Sequence, residues 1–213
     1  MTEEMGRLTA DLGPDFISLV KVLGLLAWGR PLGVDEVAGE LHLLLQDTKD
    51  FLTRMGAELD KEGNLIGLGL TCVPTRHAFK VDGHDLYTWC AGDTLLFPLL
   101  LGKTANVTST DPISGAKIRL TIAPEGVKTM EPSTAVLSWP AHMDAKDLRG
   151  TVCYPSNWFA LGETAEQYAS KHPGVAILAP DEFREVSRFF ERRIRDSSDA
   201  CGTESRTAGS SCH

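Results

Sequence analysis

Apolar residues recur at helical spacing in the first part of the chain and predict three helices there. The first covers residues 14–28 and ends before Pro31, because proline disfavours helical geometry in the residue that precedes it. The second covers residues 34–41 and the third residues 47–59. The apolar residues that define the first and third helices are Phe16, Leu19, Val20, Leu23, Leu26, Phe51, Leu52 and Met55.

The pattern changes after residue 60. A charged turn at 62–64 separates the third helix from an apolar run at 65–73, which predicts a β-hairpin. Short β-like runs then alternate with Gly and Pro turns. They predict strands at 78–81, 105–109, 117–122, 135–138, 150–153 and 175–178. Segments 86–97, 164–172 and 181–195 have helical spacing or helix-capping signals and predict three more helices.

These elements predict an α+β fold with a mainly antiparallel sheet. We divide the chain into three parts. Residues 1–73 form a winged-helix-like, three-helix module, and residues 74–196 form the sheet domain that carries the helix at 86–97. Residues 197–213 are rich in Ser, Thr, Gly and Asp without periodicity, which predicts a disordered tail.

The charge of the chain argues against nucleic acid as a partner. The formal net charge is -8, and residues 1–70 contain 6 Lys and Arg against 12 Asp and Glu. Phosphate backbones bind clustered positive charge, so neither DNA nor an anionic membrane surface fits this balance. A metal-responsive DNA-binding regulator would need a basic recognition helix, and the third predicted helix is not basic.

The cysteines and the first residues favour a cytoplasmic protein without a membrane partner. The start of the chain lacks a secretion signal, and no apolar run approaches the roughly 20 residues that span a bilayer. Five cysteines, at positions 72, 90, 153, 201 and 212, form an odd set without close spacing. This favours reduced thiols over disulfides, and the lack of Cys-x-x-Cys or His-x-x-x-His argues against zinc.

The candidate chemistry lies in the predicted helix at 86–97. Cys90 and Asp93 are three residues apart, so a helix would place the thiol and the carboxyl on one face with apolar Leu86 and Phe97. A carboxyl against apolar surface tends to keep its proton, and a thiolate beside it can attack a soft centre. Taken singly, Cys90 fits an inert packed thiol, Asp93 a solvated helix residue and Cys153 a strand-core residue.

Residues 86–98, which contain Trp89-Cys90-Ala91-Gly92-Asp93, resemble the active-site helix of the organomercurial lyases, also called alkylmercury lyases. The similarity continues in the same order at 29–31, 60–67, 115, 120–121, 164–166 and 169–172. It covers about residues 16 to 195. A chance match to a short motif would not extend this far.

The resemblance implies an enzyme that cleaves carbon–mercury bonds by protonolysis, giving a hydrocarbon and Hg²⁺. It assigns Cys90 and Cys153 as mercury ligands. Asp93, a further potential metal ligand, takes a thiol proton and returns it to carbon. No cofactor is implied; the partners are an organomercurial substrate, small thiols that remove the product and a mercuric reductase.

A rival interpretation is a noncatalytic soft-metal binder or chaperone, which would need the two cysteines but not the carboxyl. One departure from the family concerns Asp111, where many members carry a cysteine thought to be structural. The absence of that cysteine puts the local stability around Asp111 in question more than it does the reaction. We also expect Trp158 and Phe159 to line the pocket for the organic group.

Overall fold

The computed structural model describes residues 2–13 and 15–204 and contains both helices and antiparallel sheets. The helices are α1 Thr2–Leu12, α2 Asp15–Leu26, α3 Val34–Leu41, α4 Leu45–Arg54, α5 Ala91–Leu101, α6 Gly162–Ala169 and α7 Pro180–Glu204. A π-helical turn, Arg149–Cys153, precedes α6. None of the helices in the described ranges is long and apolar enough to cross a membrane.

The strands form two sheets in which every pairing is antiparallel. The larger sheet has the order β1-β2-β3-β5-β4-β6-β7-β8, and the smaller has the order β10-β9-β11. The strands are β1 Glu58–Leu59, β2 Leu65–Leu68, β3 Leu70–Thr71, β4 His77–Val81, β5 His84–Thr88, β6 Ala105–Thr110, β7 Lys117–Ala123, β8 Gly126–Glu131, β9 Val136–Pro140, β10 Trp158–Phe159 and β11 Val175–Leu178.

Helix α5 lies at the centre of the molecule. It packs against strands of the larger sheet on one side and against α2 and α7 on the other. Phe97 on α5 meets Phe79 of β4 edge to face, with ring centroids 6.5 Å apart. Helix α1 packs against α2 and α7. The N-terminal helices and the last helix therefore cover the face of α5 that the sheet leaves open.

Most of the predicted elements are present, with changed ends. The predicted helix at 47–59 stops at Arg54, since Gly56 has φ +68, and residues 58–59 enter the sheet as β1. Helix α1 was not predicted at all. The larger sheet continues across the boundary at residue 73, because β3 pairs with β5. The division at that residue stays a prediction.

Two of the predicted elements that carry site residues are wrong. The segment 86–97 is not one helix, because β5 continues to Thr88 and α5 begins only at Ala91. The segment 150–153 is not a strand but part of the π-helical turn. The alternating burial of Leu86, Thr88 and Cys90 is the strand signal that the helical interpretation overlooked.

The predicted disordered tail overlaps the last helix. Helix α7 runs to Glu204 and so includes residues 197–204, whereas the apolar pattern used for the prediction ends at Ile194. A helix that has formed extends at little cost, because each further residue adds one hydrogen bond. The rest of the predicted tail, residues 205–213, lies outside the described residues.

Candidate active site

The junction between β5 and α5 positions Cys90 and Asp93. Cys90 is the N-cap of α5 and has extended backbone geometry, and Asp93 is the third residue of the helix. The Cys90 backbone N–H donates to Oδ2 of Asp93 over 3.2 Å, while the Asp93 backbone N–H donates to the Cys90 sulfur. This capping box satisfies two free N–H groups of the helix end with the two reactive side chains. The helix N-terminus also favours a negatively charged thiolate there.

The segment after the π-helical turn connects Cys153 to the same helix end. The Ser156 N–H donates to the Cys153 carbonyl, and the Ser156 carbonyl accepts from the N–H of Ala91. The Ser156 hydroxyl accepts from the Gly92 N–H over 3.1 Å. A side chain at Gly92 would meet the Trp139 ring, since an added Cβ would lie 2.3 Å from it. This part of α5 is therefore held between Ser156 and Trp139.

The three predicted site residues converge. The two sulfur atoms and a carboxylate oxygen of Cys90, Asp93 and Cys153 lie within 4.8 Å of one another. Cys90 is 1% exposed and Cys153 is 7% exposed. Cys72 is not part of this cluster and is half-buried. Because thiolates prefer soft metals, two sulfurs at this separation can bind one soft metal ion together.

The surroundings shift the pKa values of the three side chains in different directions. Burial acts to raise the pKa of the Cys90 thiol, but hydrogen bonds from Cys153, Asp93 and Ser156 outweigh burial and lower that pKa to about 7. Burial and the charge of Cys90 raise the pKa of Asp93 well above its ordinary value. The hydrogen bond to Cys90 and burial raise the pKa of Cys153. Near neutral pH the cluster can therefore hold a Cys90 thiolate beside two protonated groups.

An apolar cavity of about 100 Å³ adjoins the cluster, and Asp93 and Cys153 both line it. Helix α5 contributes Leu96 and Leu100 to its wall. The remaining wall is also mostly apolar and includes Leu8, Leu12, Phe16, Trp139 and Phe190. Such a cavity suits a small hydrocarbon group attached to a metal bound by the thiols.

One expectation about the surroundings is wrong, and the one about local stability at Asp111 stays a prediction. Trp158 and Phe159 do not line the cavity. Trp158 is fully buried instead and donates its indole N–H to the Thr94 hydroxyl over 3.0 Å. Asp111 is buried and accepts hydrogen bonds from the N–H groups of Ile113, Ser114 and Ala160 and from the Thr164 hydroxyl.

Sequence reasoning missed Ser156 and Arg149. The Arg149 guanidinium lies over the Trp89 ring, 4.6 Å from its centroid, and pairs with Glu58 over 2.7 Å. Its positive charge opposes the rise in the Cys153 pKa. Nothing in their spacing along the chain identifies these two residues, because their partners lie in other elements.

Two buried thiols lie beside a carboxyl whose pKa burial raises, and one of the thiols and the carboxyl line an apolar cavity. This arrangement suits a soft metal that carries an organic group. Comparison with known proteins specifies this class. The family model for MerB, alkylmercury lyase, matches residues 70–190. An alkylmercury lyase of Staphylococcus epidermidis is 36% identical over 183 residues, 85% of each chain. That of Pseudomonas putida is 38% identical over 181 residues, 84% of this chain and 85% of its own. The chain belongs to the alkylmercury lyase family, and it is an enzyme.

A solved structure, the mercury-bound form of MerB2, has the same fold. It superposes with a TM-score of 0.75 at 17% sequence identity and covers 90% of this chain and 97% of its own. The likeness therefore extends beyond the segment matched by the family model to the N-terminal helices.

Proposed function

We propose that this enzyme cleaves the carbon–mercury bond of organomercurials with Cys90 and Cys153 as mercury ligands and Asp93 as the proton donor. The observation that carries the proposal is the convergence of these three side chains within 4.8 Å, two of which, Asp93 and Cys153, line an apolar cavity. A general acid contributes only when it lies within reach of the atom that it protonates.

The resting cluster holds a Cys90 thiolate, a Cys153 thiol and an Asp93 carboxylic acid. In this state Asp93 has already taken the Cys90 proton, in line with the lowered pKa of the thiol and the raised pKa of the carboxyl. The substrate arrives as R–Hg–SR′, bound to a small thiol. The Cys90 thiolate forms a sulfur–mercury bond, and the small thiol leaves as R′S⁻.

The second sulfur ligand prepares the cleavage. Cys153 binds mercury and gives its proton to R′S⁻, which departs as R′SH. Two sulfur ligands raise the electron density on the metal-bound carbon. The Asp93 proton then goes to that carbon, and the electron pair of the carbon–mercury bond leaves with it as R–H. Hg²⁺ remains between the two thiolates, and Asp93 is left as a carboxylate.

Release completes the cycle. Two small thiols take Hg²⁺ as Hg(SR′)₂, and their two protons return to Cys153 and Asp93. The step needs external thiol, since the buried sulfurs bind mercury tightly. We place the enzyme in the cytoplasm, where thiols stay reduced, with a mercuric reductase as the consumer of the product.

We also interpret residues 1–73 as a winged-helix-like module, because α2, α3 and α4 are followed by the β2–β3 hairpin. Leu12, Phe16 and Met55 of this module line the cavity. These contacts, with the acidic balance of the module, support a role in enclosing the substrate rather than in binding nucleic acid.

The substitution Asp93→Asn separates the enzyme from a noncatalytic mercury binder. It keeps the shape of the side chain but removes the transferable proton. Ethane release from ethylmercury at excess thiol should fall by roughly 10² to 10⁴-fold, the usual contribution of a positioned general acid. Mercury binding should persist, and equilibrium dialysis measures it. Unchanged ethane release from the variant would remove Asp93 from the reaction, and no release from the wild type would favour the binder.

A further inference from the structure

The residues of α5 that line the cavity define the direction in which an organic group can extend. Asp93, Leu96 and Leu100 lie along one face of α5 and all line the cavity. Seven residues of helix span about 10 Å. In the proposed reaction the substrate carbon must lie beside Asp93, since this carboxyl protonates it. The rest of the organic group then extends along α5 from Asp93 toward Leu100.

The wall opposite α5 comes from helices at the two ends of the chain. Leu12 of α1 is 7% exposed and Phe190 of α7 is 6% exposed, and both line the cavity. The Phe190 ring packs on that of Phe16, with centroids 5.6 Å apart. This packing fixes the position of Phe190 in the cavity wall.

The volume of the cavity is small. It measures about 100 Å³, whereas an apolar protein cavity that binds benzene measures roughly 150 Å³. A methyl or ethyl group takes up only part of this volume, and each further methylene leaves less of it free. Close-packed protein interiors deform little, so an organic group larger than the cavity must displace buried side chains.

We propose that Leu12 and Phe190 limit the size of the organic group, so that short alkylmercury compounds are the preferred substrates. This inference rests on the proposed function. Leu12 lies outside residues 70–190, which the family model matches, and the catalytic side chains lie inside that range. Phe190 is the last residue of that range, so the two residues that limit the size lie nearer the two ends of the chain than the catalytic side chains do.

The test is a series of primary alkylmercury chlorides, ethyl, butyl and hexyl, for which the bond to be cleaved stays alike while the chain grows. For the wild type, kcat/KM should fall from ethyl to hexyl. Phe190→Leu replaces an aromatic ring in the cavity wall by a smaller side chain. It should raise the hexyl-to-ethyl ratio of kcat/KM by at least about tenfold, the lower end of what one methylene in a tight pocket is worth.

The control is Phe189→Leu, the same change at the neighbouring residue of α7. Phe189 is partly buried against the core but does not line the cavity, so its ratio should stay at the wild-type value. Leu12→Ala opens the same wall from α1 and serves as the second variant if Phe190→Leu does not fold.

An unchanged ratio in both cavity variants would overturn the inference, as would an equal rise in the Phe189 variant. A wild type that cleaves ethyl and hexyl compounds alike would overturn it too. A wild type that cleaves none of the three would instead contradict the proposed function.

Discussion

At the residue scale, Cys90 and Asp93 share one proton. Each raises or lowers the pKa of the other: the negative thiolate raises the Asp93 pKa, and hydrogen bonds from Asp93 lower the Cys90 pKa. The protons of two such closely coupled groups belong to the pair. In the proposed reaction this arrangement provides a nucleophile and an acid at the same pH, which neither residue would provide in water.

Replacing either buried cysteine by serine should abolish hydrocarbon release. The serine oxygen is a hard, poorly ionised ligand and cannot replace a thiolate on mercury. Gas chromatography of ethane from ethylmercury measures the effect for Cys90→Ser and Cys153→Ser. Cys72→Ser is the matched control and should keep the wild-type rate, because Cys72 lies outside the cluster. Retained turnover in the Cys153 variant would show that the second ligand lies elsewhere.

The cluster also predicts a pH profile. With a pKa of about 7, Cys90 is mostly a protonated thiol at lower pH and a thiolate at higher pH. At saturating external thiol, kcat/KM should therefore rise with pH through about 7. It should fall again at higher pH, when Asp93 loses its proton. A rate that is constant from acid to neutral pH would contradict the assignment of Cys90 as the ionised ligand.

At the element scale, Asp111 replaces the structural cysteine expected from the family resemblance. It lies just after β6 and accepts from the turn that follows, but also from the Ala160 N–H and the Thr164 hydroxyl beside β10 and α6. Burial acts to raise the Asp111 pKa, yet these donors outweigh burial and lower the pKa. The carboxylate therefore joins two distant parts of the chain.

Asp111→Ala should lower the free energy of unfolding by about 1–3 kcal/mol at neutral pH, since it leaves buried donors without an acceptor. Urea unfolding measures this. Asp85→Ala removes an exposed ion pair with Lys80 and should change stability by less than about 0.5 kcal/mol.

The Asp111 pKa is lowered in the folded state, so its contribution is present above the ordinary carboxyl pKa of about 3.9. That contribution is lost as the pH falls through the lower, folded value. The difference between wild type and Asp111→Ala should shrink accordingly in acid. A difference that grows in acid would show that the carboxylate is not the stabilising form.

At the scale of the whole molecule, the N-terminal helices and α7 exclude water from a site whose reactive groups they do not provide. Leu8 and Leu12 of α1 cover the cavity, while Cys90, Asp93 and Cys153 come from α5 and the π-helical turn. The raised Asp93 pKa depends first on burial. The acid form of Asp93 at working pH is thus a property of the assembled fold.

In the wild type, kcat should fall at alkaline pH when Asp93 loses its proton. Deletion of residues 1–12 should shift this upper limb of the pH profile to lower pH. Without α1 water enters the cavity, the Asp93 pKa falls, and the proton donor is lost earlier as pH rises. Stopped hydrocarbon assays between pH 6 and 10 measure the shift. Leu43→Ala, at an exposed position outside the cavity, is the control. An upper limb that stays in place would show that α1 does not control the Asp93 proton.

The local sequence pattern predicts part of the structure of this protein. Alternating apolar residues predict most of the antiparallel strands, helical spacing predicts α2, α3 and much of α7, and the residues around Cys90 and Asp93 resemble one enzyme family. These signals act over a few neighbouring residues, where periodicity and capping decide the backbone.

Tertiary structure decided the rest. Cys90 caps α5 instead of lying within it because β5 pairs with β4 as far as Tyr87 and with β3 as far as Thr88. Cys153 reaches the helix end through Ser156, and the cavity closes with side chains from α1 and α7. Each of these depends on partners far apart along the chain. The sequence by itself therefore determined which atoms can react, and packing determined their ionisation and the space left for the substrate.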